Sequence, residues 1–282
     1  MLLGVRYLSE TEQSLVAIER TRQLALCSQE VTKDPLDAIP DTWPQKGEVR
    51  FCGVSARYRA NLPQVIKDMD LVIPARKKLG VCGRTGSGKS TLAKLLFRFL
   101  EVESGSVVID GLDIARVELK TLRSRMTLIA QDPVLFAGSL RHSLDPANLY
   151  SEETLKEAVE AVGMGDFMEK EGLDTEITEG GDNVSAGQRQ LLCMARALVQ
   201  QSRIIIMDEA TSSMDTGTDE RIQRMLNDKF SDCTIITIAH RLDTIMDHDQ
   251  ILVMSDGRVA EFGSPHVLKS KPGGVFAAML NE

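Results

Sequence analysis

The chain has 282 residues, 43% of them hydrophobic and 26% charged, with a net charge of −8. This composition supports a packed globular core and excludes a disordered or fibrous chain. The acidic balance, with no basic run longer than Arg76-Lys77-Lys78, weighs against a nucleic-acid partner held through its phosphates.

No stretch reaches the roughly 20 apolar residues that a membrane span needs. Met1-Leu2-Leu3-Gly4-Val5 meets Arg6 too soon to serve as a secretory h-region. The five cysteines (Cys27, Cys52, Cys82, Cys193, Cys233) are odd in number and scattered. They read as small residues of a reducing compartment, not as disulfides or zinc ligands.

Residues 1–31 read as a helix, with Leu15, Val16 and Ile18 set among Glu, Arg and Gln. Ser9 and Glu12 have the spacing of a capping box; the helix can equally run through them. Residues 32–47 hold Pro35, Pro40 and Pro44, a density that reads as an extended linker. From residue 48 the pattern turns to strand. Val54, Ala56 and Tyr58 alternate in one, and Val65 to Ile73 forms a second.

Lys78 to Cys82 reads as a buried strand and Thr91 to Leu96 as a helix. Between them Gly83-Arg84-Thr85-Gly86-Ser87-Gly88-Lys89-Ser90 fits the spacing G-x-x-x-x-G-K-[ST]. In such a loop the glycines let backbone N–H groups turn inward onto phosphate oxygens. Lys89 reaches the β- and γ-phosphates of ATP or GTP, and the Ser90 hydroxyl holds Mg²⁺. The helix that follows turns its positive end to the same oxygens. A match to this pattern arises by chance in about one in a hundred chains of this length. The strand before it and the helix after it make chance a poorer account still.

Ser106 to Asp110 reads as a strand closed by Asp110-Gly111. Two helices follow, Glu152–Val162 and Ala186–Val199, the second with Leu191, Leu192, Ala195 and Leu198 at helical spacing. Arg203 to Asp208 reads as a buried strand ending in an acid, with Glu209 next. A carboxylate there, beside a phosphate loop, can hold Mg²⁺ through water. Glu209, pointing the other way if the strand continues, can polarise an attacking water; the pair alone also fits an exposed acidic strand end. Thr234 to Ala239 reads as a strand ending at His240, and Ile251–Met254 and Val259–Phe262 flank the hairpin signal Asp256-Gly257. Strands alternating with helices imply a largely parallel sheet covered on both faces.

The segment Val184-Ser185-Ala186-Gly187-Gln188-Arg189-Gln190 resembles the LSGGQ signature of ATP-binding cassette (ABC) ATPases. Read by itself, Ser185 is an N-cap on an amphipathic helix; beside the phosphate loop it is a second anion-binding helix end. The resemblance extends over residues 48–282 and implies an α/β P-loop NTPase. Its parts would be a mostly parallel core sheet, an N-terminal antiparallel β subdomain and an α-helical signature subdomain. It implies that Tyr58 stacks on adenine, that Gly83 through Thr91 hold ATP, and that Ser90, Gln131 and Asp208 hold Mg²⁺. Gln131, Glu209 and His240 would act in hydrolysis. Ser185, Gly187 and Gln188 would close on the nucleotide of a second cassette in a head-to-tail dimer, with Asp215 in the loop that speaks across it.

A finer resemblance is to the second nucleotide-binding domain of multidrug-resistance-associated (C subfamily) exporters. It rests on Gln131-Asp132-Pro133-Val134-Leu135-Phe136-Ala137-Gly138-Ser139-Leu140-Arg141, on Ser143-Leu144-Asp145-Pro146, on Phe51 to Tyr58 and on Trp43-Pro44. Residues 1–31 then resemble the intracellular end of the last transmembrane helix. The resemblance implies ATP hydrolysis at the cytoplasmic face of a membrane, coupled to transmembrane domains absent from this chain. A channel-regulating module with little turnover and a soluble cassette ATPase are the competing classes. Two departures stand out: Val184 replaces the usual Leu of the signature and Ala186 its middle Gly. Glu209 is intact, so a pair of these chains would join intact acids to altered signatures and turn over slowly.

Overall fold

The structure is a computed structural model that describes residues 2–26, 30, 34–36, 38–130, 133, 135–208, 228–239 and 241–281. The chain divides into two units, residues 1–33 and 34–282. In the first, helix α1 (Leu2–Ala25) runs straight through the Ser9–Glu12 position, so no cap interrupts it. Tyr7, Leu15, Val16, Ile18 and Leu24 stand exposed on it. Among the described residues no helix is long and apolar enough to cross a membrane.

The second unit runs through β1 (Val49–Ala56), β2 (Ile66–Ile73), β3 (Lys78–Gly83), α2 (Lys89–Leu96), β4 (Ser104–Ile109), β5 (Leu112–Asp113) and α3 (Leu119–Ser124). There follow β6 (Met126–Ile129), β7 (Gly138–Ser139), α4 (Leu140–Leu144), α5 (Glu152–Ala161), α6 (Gly165–Glu171), β8 (Glu176–Ile177), α7 (Ala186–Gln200) and β9 (Ile204–Asp208). The last two described stretches add β10 (Thr234–Ile238), β11 (Gln250–Ser255), β12 (Arg258–Gly263), α8 (Pro265–Lys269) and α9 (Val275–Leu280).

The main sheet has the order β12-β11-β3-β10-β9-β6. All its pairings are parallel except β11 with β12. The sequence supplies the reason. Ile204 through Met207 are all buried, as a strand covered on both faces requires. Alternate residues then go to opposite faces. Ile204, Ile206, Ile236 and Ile238 join a core with Leu92, Leu95 and Leu96 of α2. Ile205, Met207 and Ile235 join another with Leu140 and Leu144 of α4 and with Leu155, Leu191 and Leu192 from α5 and α7. Each such buried aliphatic side chain contributes about 1.5–3 kcal/mol of transfer free energy. Of the four apolar positions expected to be buried on α7, Leu191, Leu192 and Ala195 are, and Leu198 is only partly so.

The antiparallel sheet has the order β2-β1-β4-β5. Its register slips between Phe51 and Ala56, and Val54, Ser55 and Ala56 are all buried in succession. That slip ends the strand at Ala56, so Tyr58 lies in an irregular strap behind β1 and not in the alternating strand the sequence predicts. Residues 34–47 have no regular element where described, yet they are fastened down. Leu36 N–H donates to Arg116 O, Trp43 is buried with its indole N–H on Ile109 O at 3.0 Å, and the Asp110 carboxylate takes the N–H groups of Lys46, Gly47 and Glu48. Mostly parallel sheet, antiparallel β subdomain and helical subdomain α4–α7 together make the expected P-loop NTPase fold.

Candidate functional site

Strands β3, β10 and β9 all end on one edge of the main sheet, because they are parallel. Val81, Ile238 and Asp208 are neighbours in register across it. The carboxylate at the end of β9 therefore stands two strand spacings, about 10 Å, from the strand that feeds the Gly83–Ser90 loop. In open parallel sheets this edge is where ligands bind.

The loop is shaped by backbone that other residues do not tolerate. Gly83 has φ +146, and a Cβ there would lie 2.3 Å from Met254 O and 2.8 Å from Ser87 Oγ. Gly88 is the N-cap of α2 in the left-handed conformation, and no side chain caps the helix. The first-turn N–H groups of such a helix end are placed for an external acceptor. Ser87 Oγ is buried and has no hydrogen-bond partner, a polar atom that an incoming oxygen would satisfy. Lys89 is buried too, and its Nζ donates to Gly83 O at 2.8 Å and Arg84 O at 3.2 Å. The loop's own carbonyls thus hold a cation at its mouth. These features fit a bound polyphosphate. The neighbouring Cys82 thiol is buried, and burial pushes its pKa up to about 12, so it is unreactive beside the site.

Tyr58 is attached to the same helix. Its hydroxyl lies 3.1 Å from Thr91 Oγ1, and Lys94 Nζ stands 3.3 Å from that hydroxyl and 5.0 Å from the ring centroid. The strap is anchored by Arg57 and Gln64, which both donate to Glu103 at 2.9 Å. Those two bonds, Gln64's first, hold the Glu103 carboxyl below the usual range. Tyr58 is 44% exposed, leaving room for a planar partner.

Ser185 is the N-cap of α7. Its hydroxyl accepts the Gln188 N–H, and Gln188 Oε1 accepts the Ser185 N–H in return. Both readings of this segment meet here: it is a capping box, and it is also an accessible helix end. Ser185 and Ala186 are exposed, and the Cβ position of Gly187 opens onto empty space. Arg189 braces the approach, with Nη1 on the carbonyls of Gly181 and Val184.

The structure thus brings Gly83 through Thr91, Tyr58 and Asp208 to the same end of the fold and leaves Ser185, Gly187 and Gln188 presented outward. Gln131, Glu209, Asp215 and His240 lie outside the described residues. Lys94 was missed by the sequence reading, although it follows Thr91 by three positions on a helix and so shares its face. His248 is buried with Nε2 2.9 Å from Thr237 Oγ1.

A sequence model of the ABC transporter family matches residues 66–212, just over half of the chain. Mouse ATP-binding cassette sub-family C member 2 is 47% identical over 271 residues, covering 95% of this chain and 18% of that protein. Human sub-family C member 3 is 44% identical over 284 residues, covering 99% and 18%. Rice ABC transporter C family member 13 is 41% identical, covering 96% and 18%. The chain therefore spans less than a fifth of the length of these relatives. Among solved structures, a bacterial Atm1-family ABC exporter with ATP bound superposes with a TM-score of 0.84 at 32% identity, over 96% of this chain and 47% of that one. The chain belongs to the ABC transporter family, as an ATP-binding domain of the sub-family C kind.

Proposed function

We propose that this domain binds Mg-ATP between the phosphate loop and the Tyr58 strap and hydrolyses it when a second cassette closes over the nucleotide. The observation that carries this reading is the buried Lys89 ammonium, held at the loop mouth by Gly83 O and Arg84 O, on the sheet edge where β9 ends in Asp208. The loop N–H groups and Lys89 grip the phosphates, and Tyr58 stacks on adenine. Ser90, Gln131 and Asp208 would hold Mg²⁺, which would supply charge neutralisation at the β- and γ-phosphate oxygens. Glu209 polarises the attacking water and His240 contacts the γ-phosphate.

The exposed end of α7 supports a head-to-tail pair, because a helix N-terminus turned outward serves a neighbour's phosphate and not its own. Opening and closing of that pair drives transmembrane domains supplied outside this segment, at the cytoplasmic face of a membrane. We place the contact with those domains at a groove of about 260 Å³ lined by Phe97, Arg123, Leu128, Ala130, Pro133 and Arg196. Cargo choice lies in the membrane helices and not here. Val184 and Ala186 in the signature make the isolated chain a slow ATPase.

The test is Mg-ATP binding by titration calorimetry, then phosphate release with a sister cassette in a reconstituted transporter. Binding with partner-dependent turnover is expected. No affinity for Mg-ATP at millimolar concentration would overturn the reading.

A further inference from the structure

The turn between β11 and β12 carries no part of the phosphate motif, yet it is bonded to it. Gly257 N–H donates to Ser87 O at 3.1 Å, and Gly257 O accepts the N–H of Lys67, in β2, at 2.9 Å. Just before β2, Val65 N–H donates to Ala56 O at 2.8 Å. Ala56 is the last residue of β1 and stands two positions ahead of Tyr58. A single residue therefore touches the phosphate loop on one side and the return of the Tyr58 strap on the other.

Space at this joint admits only glycine. Gly257 has φ +78, and a Cβ there would lie 2.2 Å from Val65 O and 2.9 Å from Val65 C. Both atoms are backbone, so the clash cannot be relieved by a rotamer change. The two ends of the phosphate loop abut the same pair of segments. A Cβ at Gly83 would meet Met254 O at 2.3 Å, and one at Gly88 would meet Ile66 Cδ1 at 2.9 Å and Val65 O at 3.2 Å. Loop, β11–β12 turn and the start of β2 are packed as one block.

We infer that Gly257 is a positioning residue that couples the Tyr58 strap to the phosphate loop, so that the grips on adenine and on phosphate are set together. The inference rests on the proposed ATP site. A side chain at position 257 must displace Val65 or turn the hairpin away, and turning it away removes the donor from Ser87 O. Either movement shifts one half of the site against the other.

The experiment uses the full chain and Mg-ATP. Affinities are measured by titration calorimetry for wild type, Gly257→Ala, Tyr58→Ala and the double variant. Gly257→Ala is expected to weaken binding about tenfold or more, and clearly less once Tyr58 is already Ala, since coupled positions are non-additive. Additive losses, or unchanged affinity in Gly257→Ala, overturn the coupling. Amide exchange in the wild type keeps the idea open to refutation even if the variant does not fold. Mg-ATP is expected to slow exchange at Gly257 and Lys67, and unchanged exchange there while nucleotide is bound overturns the inference. A wild type that binds no Mg-ATP overturns the ATP site itself, which is a different result.

Discussion

The Tyr58 hydroxyl lies 3.1 Å from Thr91 Oγ1 and so ties the strap behind β1 to the first turn of the helix that opens at the phosphate loop. Lys94 Nζ covers the ring at 5.0 Å, which leaves the rest of an exposed aromatic surface for a base. Replacing Tyr58 by Ala is expected to weaken Mg-ATP by about 1–3 kcal/mol, the worth of an aromatic stacked on a base. Phe at the same position keeps the ring, loses the hydroxyl's bonds to Thr91 and Lys94, and is expected to retain most of the affinity. Calorimetric titration of both variants checks this. Equal affinity in wild type and Tyr58→Ala would return Tyr58 to a packing role.

Lys89 is buried with its ammonium on two loop carbonyls. Its truncation to Ala removes those bonds and the one buried positive charge named at the loop mouth. Charge-assisted hydrogen bonds are worth about 1.5–3 kcal/mol each, so a loss of Mg-ATP affinity of about a hundredfold or more is expected. Far-ultraviolet dichroism on the same sample separates lost binding from lost folding. Full binding by folded Lys89→Ala would show that the loop amides alone carry the phosphates.

Glu209→Gln keeps size and polarity while removing the base. Under the proposed mechanism binding is kept and turnover falls by at least about a hundredfold, and the closed pair accumulates because its nucleotide is not spent. Phosphate release and size-exclusion chromatography, both with a sister cassette present, read the two effects. Wild-type turnover from this variant would remove Glu209 from the chemistry.

Local chemistry was legible in the sequence; long-range neighbourhood was not. Asp256-Gly257 announced its hairpin, and both residues have positive φ, 50° and 78°, as a two-residue turn of that kind demands. The phosphate loop was legible because its spacing encodes a chain reversal between buried strand and helix. Tyr58 was read into β1 because a period of two does not reveal a register slip, and the slip depends on pairing with both β2 and β4. Nothing in residues 203–251 states that β10 inserts between β3 and β9, since that order is set by packing of non-local faces. The contact of Gly257 with Ser87 is of the same kind: both turns were visible, and their meeting was not. Trp43 likewise looked like part of an extended proline-rich run until Ile109 O accepted its indole N–H.

His248 carries a pH dependence that this packing dictates. It is buried against Thr237, with Lys78, Asp247 and Asp249 as the charged groups around it. Burial first, and then Lys78, lower its pKa from 6.5 to about 4, against the opposing pull of the two aspartates. In the unfolded chain the imidazole takes up a proton as pH falls below about 6.5, whereas the folded chain refuses it until about 4. Stability linked to this group is therefore full above the unfolded value and is lost as pH falls between the two, about 3 kcal/mol in all. Asp249 and Glu261, whose carboxyls are held below their ordinary values despite burial by bonds from Lys77 and Lys78 and from Phe276 and Lys271, lose their contributions only at lower pH. His248→Gln keeps a donor for Thr237 and removes the titration. Urea unfolding at pH 7, 6 and 5 is expected to show stability falling more steeply in wild type than in the variant; parallel slopes would mean that His248 is protonated in the native state without cost.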